Sequence, residues 1–447
     1  MLFIKRLKLT YTQIIALCTL GMILLGAIIL SLPVSSRDGT ATPFINSLFT
    51  SGSAFCVTGL VVYDTYTHWS SFGQLTILLL IQIGGLGFMT VVTLFSMFLR
   101  RKIGLRERRL LKESANTMKI GGIVLLIKRI LKGTFWFESL GTLILTVRFY
   151  PEMGLKKAFY NGLFHSVSAF CNAGFDIMGK YGQFSSLTRY SEDITVNITI
   201  MSLIVIGGIG FIVLDDVFIC KFCFKKYLLQ TKIVLLSTSI LIFGGALLFY
   251  IFEADTSMIN MNIKERILAS LFQSVTPRTA GFNTIDITKL SESGSFLTII
   301  LMIIGGSPGS TAGGIKTTTF VALLFGALCS AKNTSDISIF KRRIEEEAIK
   351  KACSITVIYI LTTISAVMII CATQNFSLKQ VLFEVYSAAS TVGLTTGITP
   401  DLNNLSKTII IFLMYFGKVG SLSMALVFGE RKETVSILKP VEKLSIG

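Results

Sequence analysis

Histidine is scarce in this 447-residue chain and acidic residues are outnumbered: two His, and 25 Asp plus Glu against 42 Lys plus Arg. His68 and His165 stand too far apart to suggest a metal centre, and His165 reads as a packing or hydrogen-bonding residue. No cluster of carboxylates marks a catalytic site, so the chain does not read as an enzyme. The eight cysteines are mostly scattered through apolar stretches, where a free thiol behaves as a small hydrophobe. Cys220-Lys221-Phe222-Cys223 is a lone CxxC with no second pair and no nearby His, which argues against zinc or redox chemistry. Charged residues of either sign reach only 15%, while hydrophobic residues reach 52% and mean hydropathy is +0.70. A soluble fold could not cover that much apolar surface, so the expected class is an all-α integral membrane protein.

Apolar stretches near 14–33, 73–99, 122–147, 194–219, 233–252, 296–304 with 317–329, 352–372 and 407–429 make eight candidate spans. Each is long enough, or nearly so, to cross about 30 Å of hydrocarbon as a helix. The run from Ile14 to Leu32 exceeds the roughly 7–15 apolar residues of a signal-peptide core, so it reads as a retained first helix. Basic residues fall on alternate loops. Lys5, Arg6 and Lys8 precede the first span, and Arg100, Arg101, Lys102, Arg106, Arg108 and Arg109 follow the second. Lys221, Lys225 and Lys226 follow the fourth, Lys341, Arg342, Arg343, Lys350 and Lys351 separate the sixth from the seventh, and Arg431 and Lys432 follow the eighth. The positive-inside rule places all of these, and both termini, in the cytoplasm. The net charge of +17 then expresses topology and contact with anionic membrane lipid, not nucleic acid binding.

The spans carry a fourfold repeat. Cys56-Val57-Thr58-Gly59-Leu60, Cys171-Asn172-Ala173-Gly174-Phe175, Arg278-Thr279-Ala280-Gly281-Phe282 and Ser390-Thr391-Val392-Gly393-Leu394 each end in glycine and a large apolar residue. Each follows a Leu-Phe pair (Leu48-Phe49, Leu163-Phe164, Leu271-Phe272, Leu382-Phe383), with a Phe-to-Gly offset of ten, or nine in the third copy. The repeats divide the chain as 1–109, 110–226, 227–343 and 344–447, with filter-like segments at 56–60, 171–175, 278–282 and 390–394 and a cytoplasmic tail after the last span. All four segments fall on the outer side, between the two helices of their unit.

After each Leu-Phe pair comes a small, polar stretch containing Ser51 and Ser53, Ser166 and Ser168, Ser274 and Thr276, or Ser387 and Ser390. About ten residues make a helix of only about 15 Å, half a bilayer, so the chain is expected to enter, turn and return as an extended strand. Non-helical backbone at that depth must be buried in protein or line a wet pathway. Four such strands around an axis would aim carbonyls at a dehydrated monovalent cation, helped by the negative C-terminal ends of the half-helices. Thr391-Val392-Gly393 repeats the start of the TVGYG filter of potassium channels. None of the four strands contains a carboxylate.

A second repeated element follows: Gly84-Gly85-Leu86-Gly87, Gly207-Gly208-Ile209-Gly210, Gly305-Gly306-Ser307-Pro308-Gly309 and Gly417-Lys418-Val419-Gly420. In the first two copies small residues point to close helix packing. In the third, the run 305–316 (GGSPGSTAGGIK) should break the helix into two halves joined by an irregular loop under the filter. Its Gly309-xxxx-Gly314 spacing is spoiled as a phosphate-binding loop by Ile315 before Lys316, so it reads as an intramembrane gate instead. The gate residues are Gly305, Gly306, Ser307, Gly309, Ser310, Thr311, Gly313, Gly314 and Lys316. Lys418 lies mid-span, where a lysine costs about 2.5–3.5 kcal/mol on insertion scales, so it should face the interior. Its expected company is the loop's carbonyls and the hydroxyls of Ser307, Ser310 and Thr311.

These motifs resemble the Ktr/Trk/HKT superfamily of potassium transporters over nearly the whole chain, most of all the bacterial Ktr membrane subunit. Ile81-Gln82-Ile83-Gly84-Gly85-Leu86-Gly87-Phe88-Met89-Thr90, Ser274-Val275-Thr276-Pro277-Arg278-Thr279-Ala280-Gly281-Phe282-Asn283 and Ser310-Thr311-Ala312-Gly313-Gly314-Ile315-Lys316 carry the resemblance. It implies potassium uptake across the bacterial plasma membrane, sodium-dependent in some members. It also implies a homodimer with one pore per protomer, and a cytoplasmic RCK-type ring whose ATP or ADP state moves the gate. No cofactor is implied beyond the transported K⁺ and, in such members, Na⁺. Glycine in all four filter positions matches potassium-selective members. Lys418 departs from the family's usual arginine, replacing a planar five-donor fork by a compact ammonium. The competing reading, a secondary transporter of another small solute with broken helices, calls for inverted repeats; here successive repeats share one orientation.

Overall fold

The computed structural model describes residues 10–87, 90–91, 123–221, 223–332 and 337–420. Lys5, Arg6, Lys8, Phe88, Met89, the basic cluster from Arg100 to Arg109, and Arg431 and Lys432 lie outside the described residues, as do the ends of the stretches 73–99 and 407–429 and the start of 122–147.

The four repeats share one plan. A long first helix is α1 (Tyr11–Ser31), α5 (Ile123–Met153), α9 (Leu229–Phe252) or α13 (Glu346–Thr373). A half-length helix follows: α2 (Phe44–Cys56), α6 (Leu155–Phe170), α10 (Ile263–Val275) or α14 (Leu378–Ala389). The short α3 (Thr65–His68) sits in the first outer loop. The second helices are α4 (Ser71–Leu86), α7 (Ile194–Ile209) with α8 (Phe211–Ile219), α11 (Glu292–Ile303) with α12 (Thr317–Ala331), and α15 (Asn404–Val419). Between repeats three and four, β1 (Ser338–Ile339) and β2 (Arg342–Arg343) form an antiparallel hairpin.

Each second helix starts on a side-chain cap: Ser70 accepts from Gly73 N–H, Asp193 from Val196, Ser291 from Gly294 and Asn403 from Ser406. Such a cap satisfies an orphan helix donor and contributes about 1 kcal/mol. The same helices then pack on the half-helix of the next repeat, α4 on α6, α7 on α10, α11 on α14, and α15 back on α2. That last contact closes a ring. The repeated Phe49, Phe164, Phe272 and Phe383 are each fully buried, which explains the Leu-Phe signature as core packing. Ser51, Ser166 and Ser274 donate to the carbonyls of Ile23, Glu138 and Ile242 on their own first helices. Val385 holds that place in the fourth repeat. Large apolar side chains such as Leu24, Trp136, Leu247 and Leu361 point outward, as a lipid-facing surface requires.

Four helices among the described residues, all of them first helices, are long and apolar enough to span a membrane alone. The expectation of an intact second helix in the second repeat is corrected here: interruption is not confined to the third. The 16-residue α4 stops at Gly87, α7 and α8 bend by 93° at Gly210, and α15 stops at Gly420. These glycines share φ of 82°, 100° and 91° with extended ψ, a conformation that costs an L side chain dearly. The glycine pairs before the breaks do pack closely. A Cβ on Gly84, Gly207 or Gly417 would strike the carbonyl of Phe55, Phe170 or Ala389, at the C-terminal end of each half-helix.

Candidate ion pathway

After each half-helix the backbone turns left-handed once, at Val57 (φ 60°), Asn172 (58°), Thr279 (74°) and Thr391 (53°). It turns so again two residues later, at Gly59 (93°), Gly174 (69°), Gly281 (81°) and Gly393 (92°). The residues between, Thr58, Ala173, Ala280 and Val392, send their N–H groups back to half-helix carbonyls of Ser53, Ser168, Thr276 and Ser387 at 2.8, 2.7, 2.9 and 2.8 Å. A trans peptide points its N–H and C=O oppositely. The carbonyls of Val57, Asn172, Thr279 and Thr391 therefore face away from the half-helices, toward the centre. The shorter third repeat is absorbed within this turn: Ala280 reaches back four residues where the others reach back five.

The four strands form one closed ring. A Cβ on Gly59 would lie 2.5 Å from Ala173 O, one on Gly174 2.6 Å from Ala280 O, and one on Gly281 2.5 Å from Val392 O. One on Gly393 would strike Thr58 O. So each glycine abuts the carbonyl of the next strand, in the order one, two, three, four, one. Every filter side chain is buried, and Thr58 Oγ1 and Thr391 Oγ1 have no protein partner. The Asn172 side-chain amide meets Thr279 Oγ1 at 3.3 Å, with its oxygen accepting from the hydroxyl and its nitrogen donating to the carbonyls of Ile204 and Ala169.

The loop between α11 and α12 lies directly beneath. Gly305 N–H donates to Ile315 O (2.9 Å) and Thr317 N–H to Gly306 O (3.1 Å), pinching the two ends of the loop together. On one side it is held by the second repeat: Ser307 N–H donates to Gly208 O, Phe211 N–H to Gly309 O, and Thr311 Oγ1 to Gly207 O. On the other it touches the fourth. Gly313 sits against Ser390 O and the Thr391 side chain, and Gly314 against Ser390 Cβ. Lys418 Nζ, from α15, points to Thr311 O at 3.5 Å. Thr311 thus bonds to opposite quarters of the ring. The hydroxyls expected to receive Lys418 are used within the structure: Ser307 pairs with Thr317, Ser310 donates to Ser307 O, and Thr311 donates to Gly207 O. Lys316 Nζ donates to Ala312 O and stiffens the loop from within.

Two features behind the strands were not read from the sequence. Glu138 in α5 accepts from Gln82 Nε2 (3.2 Å) and lies within 3.9 Å of Cys171 Sγ, behind strand two. Arg278, 7% exposed, reaches Thr238 Oγ1 at 3.3 Å beside a cavity lined by Gly208, Ile242 and Gly306. A lone acid inside an apolar span was the available signal for Glu138. The sequence of Arg278, adjoining a filter strand, offered none for its direction.

The sequence profile of a cation transport protein family, TrkH, matches residues 24–436. The chain is 38% identical to the potassium/sodium uptake protein NtpJ of Enterococcus hirae, over 99% of this chain and 98% of the relative. It is also 38% identical to the Ktr system potassium uptake protein B of Bacillus subtilis, over 96% of each. The crystal structure of the potassium transporter TrkH from Vibrio parahaemolyticus superposes with a TM-score of 0.73 at 17% identity, covering 94% of this chain and 85% of that one.

Proposed function

The chain belongs to the TrkH family of cation transport proteins, and from that premise we infer that it is the pore-forming chain of a potassium uptake system. The observation that carries this reading is the closed ring of four glycines, each against its neighbour's carbonyl. Ring carbonyls replace the hydration shell of K⁺, and no side-chain charge is needed. The half-helix ends add their partial negative charge.

Flow is controlled below the ring. The segment 305–316 is the gate and Lys418 its latch; what supports this is the loop's position under the strands and the Lys418–Thr311 contact. An ammonium near the axis also opposes a passing cation. The chain works as a homodimer in the cell membrane with both termini cytoplasmic, under a ring of nucleotide-binding regulatory subunits. The name of the Bacillus relative, a component of a Ktr system, supports a partner of that kind. A part for sodium in this transport is proposed because the Enterococcus relative is named a potassium/sodium uptake protein.

The test is radioactive rubidium uptake into proteoliposomes, with and without a sodium gradient and a regulatory ring. Selective uptake of K⁺ or Rb⁺ is expected. Absence of flux for every alkali cation overturns the proposal.

A further inference from the structure

One hydroxyl stands at the same place in all four repeats, four residues after the buried phenylalanine: Ser53, Ser168, Thr276 and Ser387. All four are fully buried. Their hydrogen bonds differ by pairs. In repeats one and four the hydroxyl accepts from the filter glycine: Gly59 N–H to Ser53 Oγ at 3.0 Å, Gly393 N–H to Ser387 Oγ at 3.1 Å. In repeats two and three it donates instead to the carbonyl after the glycine: Ser168 Oγ to Phe175 O at 2.7 Å, Thr276 Oγ1 to Phe282 O. The sequence follows the split, with Leu60 and Leu394 after the glycine in one pair and Phe175 and Phe282 in the other.

We propose that this hydroxyl ring is a set of positioning residues that determines ion specificity, with Ser53 and Ser387 setting the glycine-level carbonyls and Ser168 and Thr276 setting the outer mouth. The peptides Thr58–Gly59 and Val392–Gly393 are planar and trans, so holding their N–H groups outward fixes the Thr58 and Val392 carbonyls inward. Those oxygens are the ones beside the Gly393 and Gly281 Cα positions. The corresponding glycine N–H groups of strands two and three have no such hydroxyl bond among the described residues. There the hydroxyl draws the Phe175 and Phe282 carbonyls away from the axis. The glycine-level ring therefore consists of two braced and two unbraced oxygens, with the braced ones on adjacent strands.

This rests on the potassium pathway proposed above, and the experiment separates the two. Rubidium uptake and its competition by sodium are measured for the wild type and for Ser53→Ala, Ser387→Ala, Ser168→Ala and Thr276→Ala in proteoliposomes, with protein quantity and melting temperature recorded. Failure of the wild type to carry rubidium defeats the transport function itself. With a selective wild type, Ser53→Ala and Ser387→Ala should lower Rb⁺ over Na⁺ discrimination about five- to tenfold, the effect of freeing one buried peptide N–H. Ser168→Ala and Thr276→Ala should keep discrimination within about twofold and shift the half-saturating Rb⁺ concentration instead. Ser53→Thr, which retains the hydroxyl, should restore discrimination. Equal losses of discrimination in all four alanine variants, or none in Ser53→Ala and Ser387→Ala, overturn the proposal, as does a Ser53→Thr variant that folds normally yet stays unselective.

Discussion

Replacing Gly59 by serine places a side chain where the ring has no room for one. At φ 93° an L residue is strained by about 1–2 kcal/mol before any contact is counted. The new Cβ would stand 2.5 Å from Ala173 O, 3.2 Å from Gly174 Cα and 3.3 Å from Gly393 Cα. All three are backbone atoms, so no neighbouring side chain can swing aside. Strand one must withdraw from the axis, carrying the Thr58 carbonyl with it, or strand two must yield. Either movement opens the ring on one side and fits dehydrated K⁺ less well, while Na⁺, the smaller bare ion with the more tightly held water, loses less. A distortion of about 1–2 kcal/mol at the oxygens is a factor of about 5–30 in discrimination. The assay is rubidium uptake into proteoliposomes against rising sodium, with variant and wild type matched for protein. Discrimination equal to wild type in a folded variant would refute the assignment of this strand to the filter.

Lys418→Gln removes the ammonium from Thr311 O, and uptake should rise with weaker nucleotide control, whereas Lys418→Arg, with more donors, should lower it; equal rates in all three in reconstituted vesicles would remove the latch. Deleting 309–313 should raise flux in the same assay, and flux unchanged from wild type would count against the loop as a gate. Gly84→Ala drives a methyl into the Phe55 carbonyl and should cost about 1–3 kcal/mol, read as a lower melting temperature in detergent; an unchanged melting curve would contradict the packing. In the outer loop beyond strand two, burial pushes the Asp176 carboxyl up to about 7, with the Met178 N–H opposing and Asp64 reinforcing the rise. The folded state then favours the protonated acid, so its stabilising contribution is full below about 4 and is lost as pH rises to about 7. Asp176 stands two residues beyond Gly174, so once it ionises above about 7 the half-saturating K⁺ concentration should fall; Asp176→Asn should abolish that dependence, and a persistent one would exclude Asp176 as its source.

The fourfold plan was legible because it is written in residues with few substitutes. Burial of Phe49, Phe164, Phe272 and Phe383 and the shared glycine conformation impose spacing, and spacing survives in a single sequence. The broken third helix was legible too, since Pro308 among glycines leaves a helix little choice. The break at Gly210 was hidden because its Gly-Gly-x-Gly element also suits close helix packing, which Gly207 does perform; only the φ it shares with Gly87 and Gly420 sets the last glycine apart. The direction of Lys418 followed from the cost of charge in lipid, but its acceptor did not. The loop hydroxyls were already engaged in bonds a linear reading cannot count, leaving the Thr311 carbonyl. Glu138 and Arg278 were missed for a related reason, because each finds its surroundings across a boundary between two helices of distant sequence.

The ring's four arcs come from a single polypeptide, and that changes how it can evolve. In a tetramer of identical chains any substitution arrives four times at once, so a tolerable change in one arc becomes an intolerable one in four. Here a mutation alters a single quadrant, and the other three hold the gauge. Thr58, Ala173, Ala280 and Val392 record this freedom: three kinds of residue at four equivalent stations of one circumference. Ion preference in such a molecule can drift by quarters, through intermediates that still conduct.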